Sequence, residues 1–450
     1  MTRILIPAGA LGLGYDKAAL DAGIAMGPDL IAIDGGSTDS GPSYLGRGVS
    51  KYARASTKTE WKGLIEARAR AGCPLVIGTA GTCGADSTVD WMYDITVEIL
   101  SELGLSAKIA VLKSGQPADR IKAALAKGEV SPLPAAPAID DSILDSCTNI
   151  VALAGAEQIA AALNTGADIV IAGRTTDTAI IAALPLMRGD HAGSAWHAAK
   201  IGECGALCST MPMSGVIWIE TDTSGFTVTP LAEGAVCTPR TVSAHMLYEN
   251  SDPFILYEPG GHLDVTDTRY TALDHRSVRG EGSVWHPSDR YTVKLEGARI
   301  TGYQTILLAL VRDRRYVENI REWCADIIAK HGAKVRDRLG LNAADFGVEL
   351  RLIGMDATLG ALEPRDELPA EVGVLGIVTA ATQARANEIA KMLNPYLLHH
   401  GLTETEEMPT FAFPFSPAEI DRGPAWEFCL NHVMTLNDPM EAFTLEVRDV

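Results

Sequence analysis

The chain has no C-x-x-C pair, no apolar stretch long enough to span a bilayer, no internal repeat and no excess of positive charge. Each absence removes a class of protein. Cys204 and Cys208 are four residues apart, but no second pair completes a tetrahedral zinc site, and the eight cysteines are scattered, so reduced and mostly buried thiols are expected. A formal net charge of −19 repels phosphates, so no nucleic-acid partner is expected. The N-terminus runs from Arg3 straight into a strand-like segment without a cleavable apolar leader, and with no membrane-spanning run this predicts a cytoplasmic protein with no membrane partner. A dinucleotide turn is also missing. "RILIPAGALGLGYD", residues 3 to 16, orders its glycines G-x-x-G-x-G rather than G-x-G-x-x-G, and NAD is therefore not expected, although Asp34 stands about where a ribose-binding acid would be.

What is present is the grammar of an α/β protein. "RILIPAG", "DLIAIDGG", "PLVIGTAG", "AKIAVLKSG", "NIVALAG" and "ADIVIAGR" are apolar runs that alternate with amphipathic stretches such as "YDKAALDAGIAM" and "STVDWMYDITVEILSEL". Strands apolar on both faces and separated by helices predict an N-terminal parallel sheet with helices on both faces. Nearly every run ends in glycine, as a ligand crevice at the carboxyl edge of such a sheet requires. After about residue 215 the pattern becomes strand-rich, with "GVIWIETDTSGFTVTPL" reading as a hairpin, and beyond about 345 it suggests a small α+β unit. Three parts are expected: 1–215 with the glycine-rich site loops, 216–345 strand-rich, and 346–450 small α+β.

Chemistry-bearing residues collect at the ends of these runs. "AIDGGSTDSGPSYLGRG" holds Asp34, Ser37, Thr38 and Asp39 in a long loop, a grouping that can orient a polar substrate, hold a divalent cation through oxygens, or satisfy its own turn. Next come Arg47, Lys51, Arg54, Lys58 and Lys62, which would share one stripe if the stretch were helical; this is either an ion-paired face or a guide for a carboxylate or CoA phosphate. "VIGTAGTCGADS" places Thr79 and Cys83 in a turn before a helix, where the thiol's pKa could be lowered for nucleophilic or acid/base work. "ADIVIAGRTTDTAI" ends in Arg174, Thr175 and Asp177; the arginine fork suits a substrate carboxylate, against the alternative of an Arg174–Asp177 pair. "KIGECGALCSTMPMSG" sets Glu203 and Cys204 between glycines. "YENSDPFILYEPGGHLDVTDT" assembles Glu249, Asp252, Glu258, His262, Asp264 and Asp267, with His262 a candidate base; H-x-D is not a zinc spacing, and no metal ligand is assigned.

The order of these motifs, a glycine-rich first turn, G-R-x-x-D after a buried strand, G-E-C-G about thirty residues on, Y-E-x-x-D-P and then "LEGARITGYQT", resembles the acyclic terpene utilisation (AtuA-type) family from the N-terminus to about residue 305. The resemblance implies catabolism through branched acyl-CoA intermediates. "GGHLDV" and "DGGSTDSGPSYLGRG" depart from the family's pattern, which implies a smaller or more polar substrate. The combined expectation is a hydro-lyase or isomerase that abstracts a proton next to a carbonyl of a small carboxylic acid or its CoA thioester, without an organic cofactor and as a homo-oligomer. Asp34, Cys83, Asp177, Glu203, Cys204 and His262 are its candidate catalytic groups, and Ser37, Thr38, Arg47, Lys51, Thr79, Arg174 and Thr175 its candidate substrate contacts. Two alternatives stand beside it: a noncatalytic scaffold or subunit of a catabolic acyl-CoA complex, and a racemase with Cys83 and Cys204 as opposed acid and base.

Overall fold

The computed structural model describes residues 1–450. Ten strands form the large sheet: β1 (Thr2–Ile6), β2 (Leu30–Asp34), β3 (Leu75–Gly78), β4 (Lys108–Lys113), β5 (Ile169–Ala172), β6 (Ile217–Thr221), β7 (Gly225–Pro230), β8 (Arg269–Ala272), β9 (Val278–Glu281) and β10 (Thr444–Asp449). Their order is β8-β9-β7-β6-β1-β2-β3-β5-β4-β10. The five strands from β1 to β4 in this order are parallel, whereas β6 and β10 flank them antiparallel. The chain is thus of the α/β class, with parallel strands in its N-terminal half.

Alternation along each strand explains why both sheet faces are covered. Ile4, Ile6, Leu30, Ala32, Val76, Val170 and Leu112 pack with helices Ala156–Asn164, Ala179–Met187 and Ala192–Gly202 on one face. Leu5, Ile31, Ile33, Leu75, Ile77, Ile171 and Val111 pack with helices Lys17–Ala25, Arg54–Ala71 and Asp86–Leu103 on the other. A strand buried on both faces must be apolar at every position, which is why the runs read as continuous rather than alternating. Asp16 starts the first crossover helix by accepting from the Ala18 and Ala19 N–H groups.

One of the six apolar runs is not in this sheet. "NIVALAG" forms the strand Cys147–Ala152, which pairs antiparallel with Leu295–Arg299. The hairpin predicted after residue 215 is present as β6 and β7, but it extends the large sheet instead of opening a second part. The chain divides into Met1–Arg299 with Phe428–Val450, and Ile300–Glu427, rather than at 215 and 345. The last strand explains the return: β10 pairs with β4 along its whole length. Within the second unit, Tyr303–Val311, Phe346–Ile353 and Val372–Ala380 pair antiparallel, and Leu307, Trp323, Ile327, Val374, Ile389 and Leu393 form its core. No helix is long and apolar enough to cross a membrane.

The loops after β3 and β5 approach so closely that only glycine fits between them. Gly84 has φ +64°, and a Cβ there would overlap the Arg174 backbone nitrogen; Gly104, at φ +63° after the helix Asp86–Leu103, has nothing within 4 Å. Gly104→Ala should therefore cost only left-handed backbone strain, about 1 kcal/mol. Gly84→Ala adds an overlap that the backbone must relieve, for about 2–4 kcal/mol in all. Denaturant titration of the two variants checks this, and equal losses would refute the close approach.

Candidate functional site

A cavity of about 330 Å³ opens at the carboxyl edge of β1 and β2, beside the loop that follows β5. Its wall includes Ala8, Gly9 and Gly14 of the first turn, Asp34, Ser37 and Asp39 after β2, Lys51 and Tyr52, Thr82, Asp177, Glu203 and Cys204, and Tyr248 and Glu249. Two of the first turn's glycine N–H groups are already engaged within the protein. The Gly12 and Gly14 N–H groups donate to Glu60 Oε2 at 2.8 and 3.3 Å.

Five carboxylates, from Asp34, Asp39, Asp177, Glu203 and Glu249, face this space against the single cation Lys51. Asp34 is the last residue of β2 and is buried, with Oδ1 lacking any hydrogen-bond partner. Burial and then the charge of Asp177 push its pKa well above the usual carboxylate range, although Arg174 and the Gly35 and Gly36 N–H groups oppose the shift. Burial also raises Asp177, against Arg174 and with Glu249. Glu203, at the end of the helix Ala192–Gly202, is pushed up to about 8 by burial despite an ion pair at 2.5 Å with the equally buried Lys200. The Cys204 thiol is raised by burial and by the neighbouring Glu203 and Asp177 charges. In Asp34, Asp177, Glu203 and Cys204 burial thus shifts the balance toward the neutral form relative to the same group in water.

Beneath the cavity lies an ion pair. Arg174 is 7% exposed and Glu296 5%. Arg174 Nε donates to Glu296 Oε2 at 3.0 Å, and its Nη1 donates to the Thr175 carbonyl at 2.8 Å and to Thr79 Oγ1 at 3.2 Å. Thr38 Oγ1 donates to the same Glu296 oxygen at 2.8 Å, and Lys294 Nζ donates to Glu296 Oε1 at 3.2 Å. Asp177 Oδ1 is 3.6 Å from Arg174 Nη1. The fork expected to take a substrate carboxylate is therefore occupied by Glu296, with Asp177 as a longer second partner.

Of the residues singled out in the sequence, Asp34, Ser37, Asp39, Lys51, Asp177, Glu203, Cys204 and Glu249 meet around the cavity. The others do not line it. Thr38, Thr79, Arg174 and Thr175 are buried in the supporting network. Arg47 ends the short helix Pro42–Arg47, and because the chain breaks from helix until Arg54, no continuous stripe forms. Arg54, Lys58 and Lys62 pair with Glu98 and Glu102 instead. His262 sits on the separate strand Gly261–Asp264, stacked on His286. Cys83 is fully buried against Thr88, its thiol pKa raised by burial rather than lowered. It is Thr82, one residue earlier, that reaches the cavity, so Cys83 cannot face Cys204 across it as a two-thiol racemase requires.

Sequence reasoning singled out neither Tyr52, Lys200 nor His245, gave no role to Tyr248 and Glu296 although both lie in quoted motifs, and noticed Glu249 without placing it. His245 stands three residues upstream of "YENSDP" and belongs to no recognisable spacing, whereas Tyr248 is the first residue of that motif. Backbone strain marks the same region. Thr79, Thr82 and Glu249 have φ of 45°, 80° and 51°, an uncommon state for any side chain and a costly one for β-branched threonine. His245, Glu203 and Cys204 bring a nitrogen, an oxygen and a sulfur within 4.8 Å of one another.

The Arg174–Glu296 pair should dominate acid stability. Burial works to raise Glu296, but the charges of Arg174 and Lys294 and the bonds from Arg174 and Thr38 hold its pKa down from 4.5 to about 2. A depressed carboxylate contributes stability that is present above 4.5 and lost as pH falls through about 2. Glu296→Gln leaves the guanidinium without its counter-charge, and the expected cost at neutral pH is about 3 kcal/mol. Its stability should also vary less with pH across that acid window, as chemical denaturation at several pH values will show; an acid profile identical to the parent's would rule the pair out as the cause.

A model of the acyclic terpene utilisation family protein AtuA matches residues 62–413. No curated protein and no solved structure matches the chain.

Proposed function

The chain belongs to the acyclic terpene utilisation family AtuA, and from that membership and the cavity's chemistry we propose a lyase or isomerase that moves protons on a small carboxylic acid or its CoA thioester. One observation carries the reading: Asp34 and Asp177, from two different strand ends, face one small cavity while Arg174 lies beneath both. Two carboxyl groups in a shared low-dielectric space do not ionise together, so one serves as base while the other keeps its proton as acid. In a dehydration the base takes the proton α to the carbonyl, and the electron pair of that C–H bond becomes the new C=C bond. The acid gives its proton to the β-hydroxyl, which leaves with the C–O electron pair as water. Hydration is the reverse, and return of the proton to another carbon gives isomerisation.

The charge distribution orients such a substrate. An anionic head is repelled by the carboxylates and attracted by Lys51, whose Nζ also donates to Ser40 Oγ at 2.9 Å in an exposed position. The head group is thereby held at the mouth, with the hydroxyl and α-carbon directed inward. A volume of about 330 Å³ is at the small end for ligand sites, so the CoA portion of a thioester would remain outside.

The test is proton exchange. Hydroxy acids, enoic acids and their CoA esters are incubated with the protein in D2O and followed by NMR for α-deuteration and loss or gain of water. Asp34→Asn and Asp177→Asn should each slow the reaction about 100-fold or more while leaving the fold intact. Absence of exchange and turnover across the panel, with and without added divalent metal, would overturn the proposal.

A further inference from the structure

We propose that Glu203, Cys204 and His245 form a three-ligand site for a divalent transition metal such as zinc, with the fourth position open to the cavity. Their donor atoms already lie within 4.8 Å of one another. A tetrahedral zinc ion with bonds of 2.0–2.3 Å separates its ligands by roughly 3.3–3.8 Å, so side-chain adjustments of about an ångström close the site. An independent observation concerns His245. The residue is 5% exposed, and its Nε2 is buried without a hydrogen-bond partner. A buried ring nitrogen with nothing to bond to costs free energy that a metal bond would offset.

The local fold explains how the three meet. Glu203 closes the helix Ala192–Gly202, Cys204 opens the turn Gly205–Cys208, and His245 begins the turn His245–Leu247 with its ring stacked on Tyr248. Lys200 is the opposing charge nearby; its Nζ is held by Glu203 Oε1 at 2.5 Å and by the Tyr248 carbonyl at 2.8 Å. Asp177 and Glu249 contribute negative field at Cys204 and offset that ammonium. Glu203 and Cys204 line the cavity whereas His245 does not, which leaves the cavity side of the ion free, as in catalytic rather than structural zinc sites. One sulfur, one nitrogen and one oxygen favour zinc or cobalt over magnesium or calcium. On binding, the Cys204 thiol releases its proton to solvent and the thiolate takes the metal. Occupancy of the site is independent of the function proposed above; its catalytic use, polarising the substrate carbonyl as the Asp34–Asp177 pair moves protons, rests on that reading.

The experiment titrates the chelator-treated, full-length protein with Co2+. One equivalent should bind and give a thiolate-to-cobalt charge-transfer band that zinc abolishes by displacement. Cys204→Ser should lose the band, His245→Ala should weaken binding by about tenfold or more, and Cys83→Ser, buried away from the cavity, should keep both. In the wild-type chain, independent of any variant's folding, one equivalent of zinc should protect Cys204 from alkylation as read by mass spectrometry. No saturable cobalt binding, a band that survives in Cys204→Ser, or unprotected Cys204 would each overturn the site. Proton exchange that persists without metal binding sinks this proposal alone; metal binding without any exchange sinks the preceding one alone.

Discussion

The ion pair between Arg174 and Glu296 is the interaction on which the arrangement of the cavity depends. Burying two charges is costly, and their attraction offsets that cost only with close geometry and satisfied remaining donors. Both conditions hold. The guanidinium reaches Glu296, Thr79 and the Thr175 carbonyl, and the carboxylate receives Thr38 and Lys294. The pair thereby ties together the loops after β2, β3 and β5 and the strand Tyr291–Val311, which carries Glu296. Asp177, three residues after Arg174, is positioned by the same guanidinium, whose charge also reaches Asp34. Removing the pair would therefore do more than lower stability; it would change the field in which both acids titrate.

Strain and close approach are concentrated where those loops meet. Gly84 packs against the Arg174 backbone, Gly35 has no room for a side chain beside the Thr79 carbonyl, and Thr79, Thr82 and Glu249 hold positive φ. Such conformations persist only where surrounding contacts over-determine them. Here the contacts are the two buried apolar faces of the central parallel strands and the ion-pair network above. A rigid sheet supplies the stability, and its carboxyl edge carries the unfavourable backbone and the unpaired carboxylate oxygen of Asp34.

The parallel sheet was legible because its signal is local: a strand buried on both faces must be apolar throughout and must turn on small residues. "NIVALAG" has the same local signal and yet pairs elsewhere, because partner choice depends on Leu295–Arg299, far along the chain. The hairpin at 217–230 was read correctly as an element and wrongly as a boundary, since nothing within it reports that β6 will pair with β1. The site follows the same division. Asp34, Asp177, Glu203 and Cys204 sit at strand or helix ends and could be picked out by that position. The partner of Arg174 is 122 residues away in "LEGARITGYQT", a motif whose letters do not say which side chain it will meet. At Cys83 the loop was located correctly, but a shift of one residue decides which side chain faces the cavity, and a backbone at φ 80° at Thr82 is not visible in composition.

The chain's acidity has a specific expression at the site. Surface carboxylates repel phosphate-rich partners through a screened field, but the five in the cavity act at short range on whatever enters. Asp34, Asp177 and Glu203, the ones withdrawn from solvent, cannot all be ionised and uncompensated in so small a space, because mutual repulsion adds to the loss of water. Lys51 neutralises one at most, while Arg174 and Lys200 are already engaged with Glu296 and Glu203. What remains must be compensated by protons held on the carboxyl groups or by a cation among them. The first gives a cavity stocked with transferable protons, and the second a cavity that binds metal. The segregation of the residues accommodates both, with Asp34 near Arg174 on the sheet side and Glu203, Cys204 and His245 grouped at the helix end.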